Sequence, residues 1–415
     1  MNAGSLRMLV GLGAGALVGA ALALAGQQWP LALAAGAVVA DVVYALLVRL
    51  QTGEWGPLRF AAGLVAFAVV AYVGIIGFGN FGDESSIDPD TFVNATAANT
   101  WALILTVAMV VGAVVYFGLE LLQTGRLDSL ARQFTTRTYL LMALGIAINI
   151  ILGQTVAAAL KIPIYLDSIG TILVGVLAGP VAGALTGGLG NVLWSYVIPP
   201  PFQYQPAAAF AITAVAIGVI AGLVGRAGLL RPRPNRSTAE LLVGGLVTVA
   251  LIGGMAWAAV IGYEKIFATS VDLLPNPDTT EWYFLVLAYL ALALVVGAVV
   301  GLFALLLIRR DLTAAYVVVV GVFTGVVAAL ISAPIAAGVF GGVTASGTDF
   351  LVAAFRQAGL DVQAATTGQG LISDPIDKVT TFFTVYLILQ AMANRFKARF
   401  PQGEQVIARE EGAPA

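Results

Sequence analysis

Long, continuous apolar runs alternate along this chain with short clusters of charge, proline and polar residues. About 20 apolar residues in helical form cover the hydrocarbon core of a bilayer, and a helix there satisfies all of its own backbone N–H and C=O groups. By that rule the pattern predicts an all-α membrane helix bundle of about twelve spans. They are 5–26, 29–50, 58–80, 100–123, 137–160, 166–178, 180–198, 205–228, 238–262, 282–309, 312–335 and 375–396. The sixth is short. It shares one apolar run with the seventh, and Gly179-Pro180 is the only good break, which predicts a tight hairpin there. The short alternating segments of a membrane β-barrel are absent from the pattern.

Charge orients the spans. With the N-terminus inside, the inner segments hold Arg7; Arg49 and Arg59; Arg126, Arg132 and Arg137; Arg226, Arg231, Arg233 and Arg236; Arg309 and Arg310; and Arg395, Lys397, Arg399 and Arg409. These are sixteen of the twenty basic residues, and only Lys161, Lys265, Arg356 and Lys378 fall outside. The bias places both termini in the cytoplasm and the chain in the cell membrane. Arg7, the apolar core and Ala23-Leu-Ala25 before Gly26 also fit a cleaved signal peptide, an alternative that leaves the other spans unchanged.

Composition agrees: 60% hydrophobic and 10% charged residues, with a mean hydropathy of +0.95, are those of an integral membrane protein. The 48 glycines suit helices that pack backbone to backbone in lipid. With no Cys and no His, disulfides, thiol chemistry, imidazole catalysis and the commonest transition-metal ligands are excluded. The sequence has no phosphate-binding Gly-Lys-Ser/Thr loop, nucleophile elbow or zinc-protease helix, so no enzymatic activity, cofactor or nucleic-acid partner is expected. Energy for any transport has to come from a partner or a gradient.

Within 137–230, Ala143-x-x-x-Ala147 forms a small-residue seam that admits close helix packing. Asn149 lies about 200° further round the helix, toward the bundle interior, and either bonds a neighbouring helix or contacts a ligand. Gln154 sits nearer the outer end. Asp167 and Ser168 precede an apolar run and read as caps of the sixth span or as ligand contacts. Asn191, Trp194 and Tyr196, with Gln203 and Tyr204 across a proline-rich loop, suit a planar ligand, although Trp and Tyr equally mark a membrane interface. In Ser373-Asp374-Pro375-Ile-Asp377-Lys378 the residues read as a helix start, with Asp374 as N-cap, Pro375 in the first turn and Lys378 paired to Asp374; the same cluster is a candidate for ligand contact. Asp41, near the middle of the second span, is a candidate for proton coupling. The Gly-rich 340–348 segment and an amphipathic helix over 349–358 read as a lid, or as an interfacial helix with Phe350, Leu351 and Phe355 in lipid.

The order of these features over 137–230 and 311–397 resembles the S component of energy-coupling factor (ECF) transporters. The features are a first helix with Ala143-x-x-x-Ala147, a loop at Lys161-Ile-Pro-Ile-Tyr165, and two Gly-rich helices broken at Gly179-Pro180. The resemblance implies a six-helix core that binds a vitamin or similar micronutrient beneath its outer loops. It also implies docking of Ala143 and Ala147 on a transmembrane coupling subunit with paired ATPases. Residues 1–130 then form a four-helix extension, 236–310 a two-helix insertion and 398–415 a cytoplasmic tail. A ligand sensor and a gradient-driven carrier are the alternatives.

Overall fold

A computed structural model of the chain describes residues 3–25, 29–79, 95–154, 165–200, 202–266, 282–344 and 346–408. All regular structure among them is helical: α1 (Ala3–Leu24), α2 (Trp29–Thr52), α3 (Gly56–Phe78), α4 (Ala95–Thr124), the single turn α5 (Asp128–Ala131), α6 (Thr136–Gly153), α7 (Ile169–Ala178), α8 (Pro180–Tyr196), α9 (Ala211–Arg226), α10 (Thr238–Ile266), α11 (Trp282–Leu307), α12 (Thr313–Phe340), α13 (Asp349–Gln357), α14 (Val362–Ala391) and the short α15 (Asn394–Lys397). Seven of these helices are long and apolar enough to cross a membrane. The Lys161-Ile-Pro-Ile164 part of the loop after α6 lies outside the described residues. The chain divides into two compact units, one of residues 1–81 and 99–128, the other of 82–98 and 129–415.

In the first unit the helices approach through glycine. A Cβ added to Gly15 of α1 would stand 2.3 Å from the Gly36 carbonyl oxygen of α2, and Gly63 of α3 and Gly112 of α4 oppose one another in the same way, at 2.9 Å each. Lipid tails are as apolar as leucine, so such close packing stabilises helix pairs where hydrophobic expulsion cannot. Arg59 and the buried Glu120 form an ion pair at 3.7 Å between α3 and α4.

The second unit is built round α7. This helix has ten residues, about 15 Å at 1.5 Å per residue, half a bilayer, and every one of them is buried. Its ends are capped by other parts of the chain. Asn149 of α6 accepts the Gly170 N–H at 2.7 Å, and the Gln402 N–H donates to the Leu177 carbonyl at 2.8 Å. The break at Gly179-Pro180 is present. Gly179 takes φ 128°, a conformation open to glycine, and Gln133 caps the next helix by accepting the N–H groups of Val181 (2.8 Å) and Ala182 (3.3 Å). α9 packs into both arms of the hairpin, where a Cβ on Gly218 or Gly222 would meet α8 backbone at 2.2–2.3 Å.

Three expectations from the sequence need correction. The last long helix does not start at Asp374. It starts at Val362, with Asp361 as N-cap accepting the Ala364 N–H at 2.8 Å, and Pro375 lies in its interior. The polar stretch 362–373 hides this helix from an apolar scan, but inside protein its hydroxyls are satisfied; Thr366 donates to the Ala333 carbonyl of α12. The backbone of α12 comes close at the proline turn, since a Cβ on Gly325 would lie 2.5 Å from Pro375. Second, α13 does not lie in lipid through Leu351, which is buried with Val352 and Ala354, and Phe355 packs against Gly368 of α14. Third, the expected tail is packed through residue 407: Phe400 and Val406 join the core formed by α7, α9, α11, α12 and α14.

Backbone contact between α6 and α7 is the tightest constraint on the unit's centre. A Cβ on Gly170 would stand 2.1 Å from the Gly145 carbonyl oxygen, whereas one on Gly297 of α11 meets nothing within 4 Å. Gly170→Ala is therefore expected to lower stability by about 1–3 kcal/mol. Gly297→Ala should be neutral or stabilising by about 0.5–1 kcal/mol. Thermal denaturation of the two purified variants in detergent checks the contrast, and equal melting temperatures would refute it.

Candidate ligand site

Halfway along α14 stand two adjacent charged residues, Asp377 and Lys378, with side chains 0% and 4% exposed. An isolated charge in an apolar interior is untenable, so their surroundings are organised to satisfy them. Asp377 Oδ1 accepts the N–H groups of Tyr165 (3.2 Å) and Leu166 (2.7 Å), and its Oδ2 accepts from Lys378. Lys378 Nζ also donates to Ser168 Oγ at 2.9 Å and lies 3.7 Å from Asp167 Oδ1. The segment 165–168 that leads into α7 is thus fastened to the middle of α14, and Leu166 takes a left-handed φ of 51° within it. For an aliphatic side chain that conformation is strained.

These groups form one wall of a cavity with about 730 Å³ of empty space, open solvent at its mouth included. Tyr165, Asp167 and Ser168 line it from the loop, Asp374 and Lys378 from α14, Asn191 and Trp194 from α8, and Tyr204, Phe210 and Thr213 from the loop and helix that follow; Ser332 and Thr344 complete the polar part. Asp374 is buried and accepts only one hydrogen bond among the described residues, from Ser373 Oγ at 3.3 Å. Thr213 Oγ1 is buried with no hydrogen-bond partner among them.

Two phenols on the cavity wall are held by hydrogen bonds. Tyr165 shares a hydrogen bond with Thr348 at 2.7 Å, Tyr204 donates to the Thr344 carbonyl at 2.6 Å, and the turn that receives them is tied to Asp349 through the Thr344 N–H and hydroxyl. Burial pushes both phenols up from the ordinary tyrosine range, helped by the Asp374 charge for Tyr165 and the Asp349 charge for Tyr204, so both stay neutral hydroxyl groups.

Of the residues singled out in the sequence, the structure brings Asp167, Ser168, Asn191, Trp194, Tyr204, Asp374 and Lys378 together on the cavity. The others have different places. Tyr196 is 74% exposed, because it lies two residues, about 200°, beyond Trp194 and so on the other face of α8. Gln154 stands behind Trp194 and accepts its indole N–H at 3.2 Å. Asn149 bridges α6 to α7, donating to Thr171 at 2.8 Å besides capping Gly170. It thereby takes the capping role expected of Asp167 and Ser168, of which Ser168 is the N-cap without a side-chain bond. Asp377 anchors the loop. Lys378 pairs with Asp377 and Asp167, not with Asp374 as expected from the four-residue spacing. Ala143 and Ala147 are exposed on the outer face of α6. Thr213 and Ser332 went unnoticed because a lone hydroxyl in an apolar run carries no signal. No family model, curated protein or solved structure matches the chain.

Removing one partner from a buried ion pair leaves the other uncompensated, at a cost of about 3–5 kcal/mol. Asp377→Asn and Lys378→Met are each expected to destabilise the protein on that scale, and the double variant is expected to lose less than the sum. A double-mutant cycle on thermal stability checks this, and strict additivity would show that the two charges do not support each other.

Proposed function

We propose that this chain is the membrane-embedded substrate-binding subunit of an ECF-type importer for a vitamin or similar small micronutrient, energised by a separate ATPase module. The observation that carries the reading is the cavity: an aromatic, partly charged chamber whose walls come from 165–217, 328–344 and 374–378, the two stretches in which the sequence resembles S components. Its outer position is supported by charge. The helices that line it have Arg226, Arg231, Arg309, Arg310 and Arg395 toward their opposite ends, as the positive-inside rule requires of a cytoplasmic face. In this reading the chain has twelve membrane segments, of which the ten-residue α7 falls short of a full crossing, and α6, α7, α8, α9, α12 and α14 form the six-helix core.

The exposed seam of Ala143 and Ala147 is the docking face for the coupling subunit. Helices dock closely where side chains are small, so leucine at either position would hold a partner away. Ligand contact falls to Asp167, Asn191, Trp194, Asp374 and Lys378, with Asn149, Gln154 and Asp377 holding them in place.

A gradient-driven carrier is a second reading, favoured by Asp41 of α2, whose Oδ2 is buried without a hydrogen-bond partner among the described residues. A carboxylate so placed is either protonated or functional. Uptake unaffected by Asp41→Asn and by collapse of the proton gradient would remove it.

Affinity purification of the tagged chain from its own host membranes in mild detergent is expected to recover a small transmembrane subunit with paired ATPases. Ala143→Leu/Ala147→Leu should lose that recovery while the purified variant keeps its melting temperature. Recovery of a kinase or cyclase in their place would turn the reading toward sensing.

A further inference from the structure

The cavity's unsatisfied groups say what kind of molecule belongs in it, given the reading above that it is a ligand site. Lys378 is already engaged by Ser168, Asp377 and Asp167. Asp377 is in turn engaged by Lys378 and two backbone N–H groups. Asp374 has no such complement. It is 5% exposed, lines the cavity, and receives one long hydrogen bond from Ser373, whose own hydroxyl is held by Gln369 at 2.7 Å. Thr213, 8% exposed, also lines the cavity, and its buried hydroxyl has no hydrogen-bond partner among the described residues. The same cavity is lined by rings, Trp194 and Tyr204 at a centroid distance of 5.1 Å and Phe210.

We infer that the cavity takes an organic cation, a small molecule whose protonated or quaternary nitrogen lodges at Asp374 and whose apolar or aromatic body lies among Trp194, Tyr204 and Phe210. A buried carboxylate with no ion pair of its own among the described residues favours a positive ligand group over an anionic one. Ring faces attract the same charge through their quadrupoles, so the two features act together. An anionic ligand would have to displace Asp167 or Asp377 from Lys378, the one lysine on the cavity among the described residues.

Three probes of similar size separate the charge classes: phenethylamine, 2-phenylethanol and phenylacetate, added to the full-length protein in detergent at neutral pH. Binding is read as the part of the tryptophan fluorescence change that Trp194→Phe abolishes, and as a shift in melting temperature. Phenethylamine is expected to give a saturable response, with 2-phenylethanol weaker and phenylacetate weakest. Asp374→Asn should weaken phenethylamine by about tenfold or more, the loss of one charge-assisted hydrogen bond. The ranking on the unmodified protein stands as a test even where Asp374→Asn does not fold. A ranking led by phenylacetate or 2-phenylethanol, or unchanged affinity in a folded Asp374→Asn, overturns the cation assignment and leaves the ligand site intact. Absence of a saturable response to all three overturns the ligand site itself.

Discussion

The second unit depends on how the interior accommodates Asp377 and Lys378. They are neighbours in sequence at the centre of α14, too far from either end of that helix to reach water by extending along it. Their charges are balanced by each other and by Asp167, and their remaining hydrogen-bonding capacity is met by the backbone of 165–166 and the hydroxyl of Ser168. That arrangement fixes a loop that has no regular structure, holds Leu166 in a left-handed conformation, and delivers the chain to the start of α7 at a defined height. A helix of ten residues cannot span the bilayer, so its depth must be set from outside, and the α14 pair does this at one end while Gln402 does it at the other.

Glycine supplies the complementary constraint. The α6–α7, α7–α9, α8–α9 and α12–α14 contacts each include a glycine at which a Cβ would fall within 3 Å of opposing backbone. Helices this close leave little freedom for sliding. Bulky residues stand in place of glycine at Trp194, Tyr204 and Phe210, and among the described residues the cavity opens there. Its polar wall is the same charged cluster that positions α7, so the groups facing a ligand rest on groups that support the fold.

Much of this architecture was legible in the sequence. The apolar runs gave the helices, and Gly179-Pro180 gave the hairpin, because lipid solvation leaves few choices for an apolar run and proline leaves few for its continuation. The small-residue face of α6 and the inward turn of Asn149 followed from helical periodicity. The start of α14 was not legible, since Asp374-Pro375 has the grammar of a helix start and the preceding stretch is polar. Only tertiary burial makes 362–373 helical. Tyr196 was misplaced because proximity in sequence to Trp194 is not proximity on a helix face. The partners of Asp377 and Lys378 lie some 210 residues away and leave no trace in local pattern.

The claim that the α14 charges hold the 165–168 segment as a wall of the site is tested most directly by hydrogen exchange. In the unmodified protein, peptides that contain the amides of Tyr165 and Leu166 should exchange as slowly as the buried centre of α14, because both amides donate to Asp377. In Asp377→Ala that protection should fall by orders of magnitude in 165–170 while α9 and α12 remain protected. Fast exchange of 165–166 in the unmodified protein, or unchanged protection in the variant, would contradict the account.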